Sequence, residues 1–340
     1  VSGSAQEENC TLYSQIIKEN PPACLLDRGW NSLPDPNAPK TMACCNPGGE
    51  PFGEDCVIRT YGCGATSTSA NDTPCASCSH GGGPIDFATG NTYIKQSDVS
   101  VPGLGGGLNL TRIWNSLLPT NQAAYSFMFG TNWRSTYEER LILSPGTDGY
   151  LKYLRSDGSV WSFGVAIQED PTVYRVAAPA DDTTTTIVSG SPNYTLTSKN
   201  GEKRLFDATT GLLTSIVDRN GNSTQLTYDS ANRLVTVTDP ASRHFYFAYT
   251  SPSSTLVSSV TSDVGISLSY NYDTDGRLTK VTKPDNTTVS FEYDVNSMIT
   301  AVKDSDGKIL ESHIYDVSHR GLTSSRANGV ESLTITYPHW

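Results

Sequence analysis

A repeat in the second half of the chain constrains its fold more than any other feature. An aromatic residue recurs at Phe206, Tyr228, Tyr249, Tyr272, Tyr293, Tyr315 and Tyr337, with spacings of 22, 21, 23, 21, 22 and 22 residues. Asp follows five of these seven, as Asp207, Asp229, Asp273, Asp294 and Asp316. A turn and an apolar pair come next, as in Thr274-Asp275-Gly276-Arg277-Leu278-Thr279-Lys280-Val281. A second turn, such as Pro284-Asp285-Asn286 or Asp304-Ser305-Asp306-Gly307, leads to the following strand. Each unit therefore reads as one β-hairpin. A lone hairpin is marginal in water. Seven in register imply a stack that buries a shared face. Tyr would pack on that face, Asp would cap the following turn, and Gly276 or Asn232 would take positive φ there.

Composition agrees with an all-β chain. Of 340 residues, 36% are hydrophobic and 17% charged, with 29 Gly and 19 Pro, which suits many short strands joined by polar turns. The formal net charge of -11 repels phosphate backbones, so no nucleic-acid partner is expected. No apolar run approaches the roughly 20 residues of a membrane span. All eight cysteines, Cys10, Cys24, Cys44, Cys45, Cys56, Cys63, Cys75 and Cys78, fall within residues 1–79. That is the pattern of a disulfide framework and of a secreted protein, and the pairing stays open. Val1 to Gln6 reads as a terminus left by signal cleavage.

Three parts follow: a cysteine-rich head over 1–79 with a short helix near 11–20, a β domain over 80–198, and the hairpin array over 199–340, its last unit incomplete. Alternation at Leu108-Asn109-Leu110-Thr111 marks a half-buried strand in the second part.

The candidate catalytic and metal motifs have plainer readings. Cys56, Cys63, Cys75 and Cys78 could form a zinc site, but disulfides suit a secreted head better. Asp273-Thr274-Asp275-Gly276 lacks the Glu that an EF-hand needs at its twelfth position, which here is Pro284. Gly103-Leu104-Gly105-Gly106-Gly107 lacks the Lys-Ser/Thr end of a phosphate loop. The five histidines fit no metalloprotease motif, although His313 and His319 could meet in a hairpin. No cofactor, catalytic residue or metal ligand is assigned, and the chain is expected not to be an enzyme.

The segment Tyr272 to Val281 closely resembles the YD-repeat consensus of RHS proteins. Asp86-Phe87-Ala88-Thr89-Gly90-Asn91, Leu110-Thr111-Arg112-Ile113-Trp114-Asn115-Ser116, Gly130-Thr131-Asn132-Trp133 and Asp157-Gly158-Ser159-Val160-Trp161 resemble the domain that precedes such repeats in bacteria. The resemblance implies a sheet that spirals on itself. In RHS toxins, Tc-type toxins and teneurins such sheets form a hollow shell, closed in toxins around an effector released by an aspartyl protease core. Neither core nor effector has a counterpart in these residues.

A spiral that does not close leaves unpaired sheet edges. The strand over 334–340, with Thr334, Ile335, Thr336, Tyr337 and Trp340, lacks its hairpin partner, so head-to-tail pairing with a second copy into a fibre is expected. The function expected is structural and extracellular, on a bacterial surface or in an assembly. A fragment of a toxin-delivery shell, and an adhesin binding glycans or proteins through exposed tyrosines, are the alternatives.

Overall fold

The computed structural model describes residues 85–86, 89–118, 127–143, 150–165, 172–178, 184–326 and 329–337, with short strands at Glu50–Phe52, Asp55–Val57 and His80–Gly81. The head helix, the disulfide framework and Trp340 lie outside the described residues. Among the described residues the regular structure is otherwise almost entirely β, with a 3-10 turn at Leu104–Gly106.

Nineteen strands, from Arg140–Ile142 to Val330–Thr334, pair antiparallel in sequence order. The sheet crosses residue 198 without a break, since Asn193–Thr197 pairs with Lys203–Asp207. The repeat architecture thus starts at Arg140, well before the 22-residue period is legible.

Why the sheet curls can be read from its registers. A β-bulge falls immediately before Phe206, Tyr228, Tyr249, Tyr272, Tyr293 and Tyr315. A bulge adds one residue to one strand and increases the local bend and twist. Set at the same place in each hairpin, it bends the sheet the same way every time. After eight strands the sheet meets its own start: Arg140 bridges Leu212, and the Leu141 amide donates to the Gly211 carbonyl at 2.9 Å. Gly211 is required for that approach, because its φ is 71° and a Cβ there would lie 2.0 Å from the Leu141 oxygen.

A second sheet of three strands, Tyr93–Val101, Leu108–Asn115 and Trp133–Ser135, sits against the later hairpins. Its middle strand buries every second residue: Leu108, Leu110, Arg112 and Trp114. Leu108, Leu110 and Trp114, with Ile94, Phe129 and Trp133, join one apolar core with Phe245, Val260, Leu268, Tyr270, Val281 and Phe291 of the array. Where the family resemblance implied a hollow shell, this part of the spiral is filled by the inner sheet.

Candidate functional site: the contact between the inner sheet and the repeats

Arg112 stands at a position where strand alternation calls for an apolar side chain, and it is fully buried. Its guanidinium lies 4.6 Å from the Trp133 ring centre, 5.4 Å from Tyr270, 5.6 Å from Phe129 and 5.9 Å from Phe291. Two of the rings belong to the inner-sheet segment and two to the repeats. Such desolvated cation–π contacts are worth about 2 kcal/mol. Asp98 accepts two hydrogen bonds from Arg112, at 2.5 and 2.8 Å, and one from the Tyr270 hydroxyl at 2.9 Å. Burial on its own would lower the Arg112 pKa, but the charge and hydrogen bonds of Asp98 outweigh it and the net direction is upward. Burial, then Asp98, pushes Tyr270 well above the ordinary tyrosine range. The cation is thereby fixed as a charged, oriented bolt between two sheets.

Other contacts extend the seam. The Val257 amide donates to Met128 O at 2.8 Å, and the Gly321 amide to Gly90 O at 2.8 Å. Trp133 Nε1 reaches Tyr293 Oη at 3.4 Å, and Arg243 Nη2 reaches Pro102 O at 3.0 Å. Ring edges meet at Trp133–Phe291, Trp114–Tyr315 and Tyr137–Phe247. Gly130, at φ 90°, is pressed against the Gly276 carbonyl, which a Cβ would approach to 2.7 Å.

The repeat residues have defined roles. Each tyrosine hydroxyl donates to a carbonyl of the preceding hairpin: Tyr228 to Leu213, Tyr249 to Leu234, Tyr272 to Val257, Tyr293 to Leu278, Tyr315 to Ile299 and Tyr337 to Gly321, all at 2.7 to 2.8 Å. Burial raises all six hydroxyl pKa values, that of Tyr337 to about 12. Phe206 fills the same bulge position without a hydroxyl and is fully buried. The aspartates cap their turns: Asp229 Oδ1 accepts from the amides of Ala231 and Arg233, and Asp207, Asp273, Asp294 and Asp316 act alike. Asn232 and Gly276 take positive φ, at 61° and 75°, as the turn chemistry requires.

Sequence reasoning missed the arginine four residues after the aspartate. Arg233, Arg277 and Arg320 donate through Nε to Asp229, Asp273 and Asp316. Their guanidinium groups then lie 4.6, 5.2 and 4.1 Å from the ring centres of Tyr249, Tyr293 and Tyr337, the next tyrosines along. The Asp-x-x-x-Arg spacing was visible in the sequence. What hid its meaning is that the partner ring belongs to another hairpin. Arg112 was missed because a lone cation in an apolar strand carries no pattern of its own.

At the array's end, the last strand among the described residues is Val330–Thr334, and Ile335 to Tyr337 follow it outside any strand. It pairs with Gly321–Arg326, and among the described residues no other strand register involves it. Ile335 still donates to Leu322 O at 2.7 Å. His313 is buried on the inner face while His319 occupies a turn at φ 64°, so the two are not brought together. Among the described residues, one cavity borders the seam and another lies within the array itself. One of about 260 Å³ lies between Met128–Arg140 and the Tyr228–Leu234 turn. In its wall Glu138, raised by burial, accepts the Met128 amide at 2.7 Å. The other, of about 540 Å³, is lined by Tyr153, Trp161 and Arg204, and Arg204 is paired with Glu139 and Glu202. Among the described residues no three His, Cys, Asp or Glu converge as a metal cluster.

Comparison with known proteins follows the same division. The family described as RHS Repeat matches residues 207–244 and 272–309. A domain of unknown function (DUF6531) matches residues 82–163, which include the inner sheet. The tRNA nuclease WapA of Bacillus subtilis strain 168 is 29% identical over 159 residues, covering 45% of this chain and 6% of that protein. The tRNA3(Ser)-specific nuclease WapA of Bacillus spizizenii matches to the same extent. The matched stretch is thus a small part of those relatives. Among solved structures, a TcdB2-TccC3-TEV crystal structure has a TM-score of 0.28 at 16% identity, over 66% of this chain and 13% of that one. A Photorhabdus luminescens Tc holotoxin pore gives 0.27 at 13%, over 68% and 14%. The repeat matches, the preceding domain and the hairpin clamps agree: this chain is an RHS/YD-repeat protein.

Proposed function

We propose that these residues form the sealed starting end of an RHS shell, a container wall that does no chemistry itself. The observation that carries this reading is the Arg112–Asp98 bolt, which fixes the inner sheet across the concave face of the spiral. A wall that begins on a filled end can enclose space only further along. Growth in that direction needs an edge, and Val330–Thr334 offers one. On this reading the nuclease activity named for the WapA relatives belongs to other parts of those proteins, and the whole works outside the producing cell.

A fibre built by head-to-tail pairing would use the same edge. It would also need a free edge at the start of the sheet, where Arg140–Ile142 is bridged to Leu212. That favours the shell over the fibre. Light scattering with negative-stain microscopy separates the two. The shell reading expects single particles with one closed end at all concentrations. Filaments that dissolve on Leu333→Pro substitution would refute it.

A further inference from the structure

We propose that the cavity within the first strands of the array binds a neutral saccharide, with Trp161 as the stacking platform and the Ser198–Glu202 turn and its strand as the source of hydrogen bonds. Two directly opposed residue pairs wall this cavity, Trp161 with Tyr153 and Leu196 with Arg204. Both pairs face the core side of the sheet, since Tyr153 and Leu196 belong to the apolar core and Trp161 packs against it. Further along the array that side is filled by the inner sheet. Here a space of about 540 Å³ is left, within the roughly 300–1,000 Å³ of small-molecule sites.

The donors around that space are only partly used by the protein. Asn200 Oδ1 accepts the Glu202 amide at 3.0 Å, while among the described residues its Nδ2 makes no hydrogen bond. Arg204 spends Nε on Glu139 and Nη1 on Glu202, and its Nη2 is left over. Lys199 is exposed and pairs with no carboxylate among the described residues. Three unused donors therefore border one half-buried indole. The ring is held in place, because the Arg155 guanidinium lies 4.7 Å from its centre. A platform fixed before binding spares the ligand the cost of ordering it.

Charge and shape select the ligand class. Three cations line the cavity, but Glu139 and Glu202 sit on Arg204, and Asp157 lies 3.6 Å from Arg155. Only the Lys199 charge is uncompensated, so an anion would meet nearly as much repulsion as attraction. A purely apolar ligand would cover the donors and leave them unpaired, at about 1–3 kcal/mol for each one buried. A neutral pyranose answers both demands. Its C–H face lies flat on an aromatic ring, and its rim of hydroxyl oxygens accepts from amide, ammonium and guanidinium groups.

The test is saturation-transfer NMR and calorimetric titration of the full chain with neutral hexasaccharides of β-1,4-glucose, β-1,4-N-acetylglucosamine, α-1,4-glucose and α-1,6-mannose. A hexamer of α-1,4-galacturonate serves as the acidic control. At least one neutral hexamer is expected to bind the parent chain, and Trp161→Leu should abolish that binding. Asn200→Asp keeps the oxygen that caps the turn and removes the amide donor. It should leave the melting temperature unchanged and weaken binding about threefold to tenfold. Three results would each overturn the proposal: no binding of any neutral hexamer, binding of the galacturonate alone, or parent-like affinity in either variant once folded.

Discussion

Replacing Asp98 with alanine strands a fully buried guanidinium among four aromatic rings. The substitution deletes both carboxylate hydrogen bonds to Arg112 and the one from Tyr270. Breaking a buried ion pair from one side costs about 3–5 kcal/mol, mostly because the surviving charge is left uncompensated. Removing both charges should be milder. In Asp98→Leu with Arg112→Leu the chief remaining cost is the Tyr270 hydroxyl, at about 1–3 kcal/mol. A further Tyr270→Phe should recover part of that. Urea unfolding followed by tryptophan fluorescence is the assay, since Trp114 and Trp133 are both buried at this contact. With a slope of about 3 kcal/mol per molar urea, Asp98→Ala should lower the midpoint by about 1–1.7 M. The double variant should sit above it, with a coupling of about 2 kcal/mol or more. Effects that add to within about 0.5 kcal/mol would refute the bolt.

Other perturbations address separate links. Tyr249→Phe or Tyr293→Phe should cost about 1 kcal/mol each and speed hydrogen exchange in the preceding hairpin more than in their own. Gly211→Ala should destabilise by more than about 2 kcal/mol, because the Leu141 carbonyl lies 2.0 Å from the added carbon, and a thermal melt would show it. Acid should weaken the array. The Arg233 amide and then its guanidinium hold the Asp229 carboxyl below its usual value, and the Thr210 amide and hydroxyl do the same for Asp207. Their stabilisation is present above the unfolded value of about 3.9 and is lost as pH falls through the lower folded values, so Asp229→Asn should flatten the acid limb. Alkali works the opposite way at Tyr337, whose hydroxyl is pushed up to about 12. Its contribution is complete below about 10 and lost as pH rises through the folded value, and Tyr337→Phe should remove that part of an alkaline melt.

Much of this architecture is legible in the sequence, and the boundary of what is legible has a physical cause. The hairpins at Tyr228, Tyr272, Tyr293 and Tyr315 repeat one solution, in which bulge, tyrosine clamp and aspartate cap use the same residue types, so the period shows. The strands from Arg140 to Thr197 belong to the same sheet but satisfy their bulges and turns with varied residues, so their membership is visible only in the pairing. The tyrosine hydroxyl's acceptor is a backbone carbonyl, which has no sequence mark. The inner sheet reads as strands in sequence, but nothing in Leu108 to Asn115 states which surface its buried face will meet. Arg112 becomes meaningful only when Tyr270 and Phe291, more than 150 residues away, close over it.

Two amides test the seated inner sheet most directly. Val257 and Gly321 belong to the array, yet their hydrogen-bond acceptors, Met128 and Gly90, belong to the inner-sheet segment. Residue-resolved hydrogen exchange should find both as slow as ladder amides such as those of Phe247 and Val281. If they exchange at the rate of exposed turn amides while the ladder stays protected, the two sheets do not share a core and the sealed end does not exist.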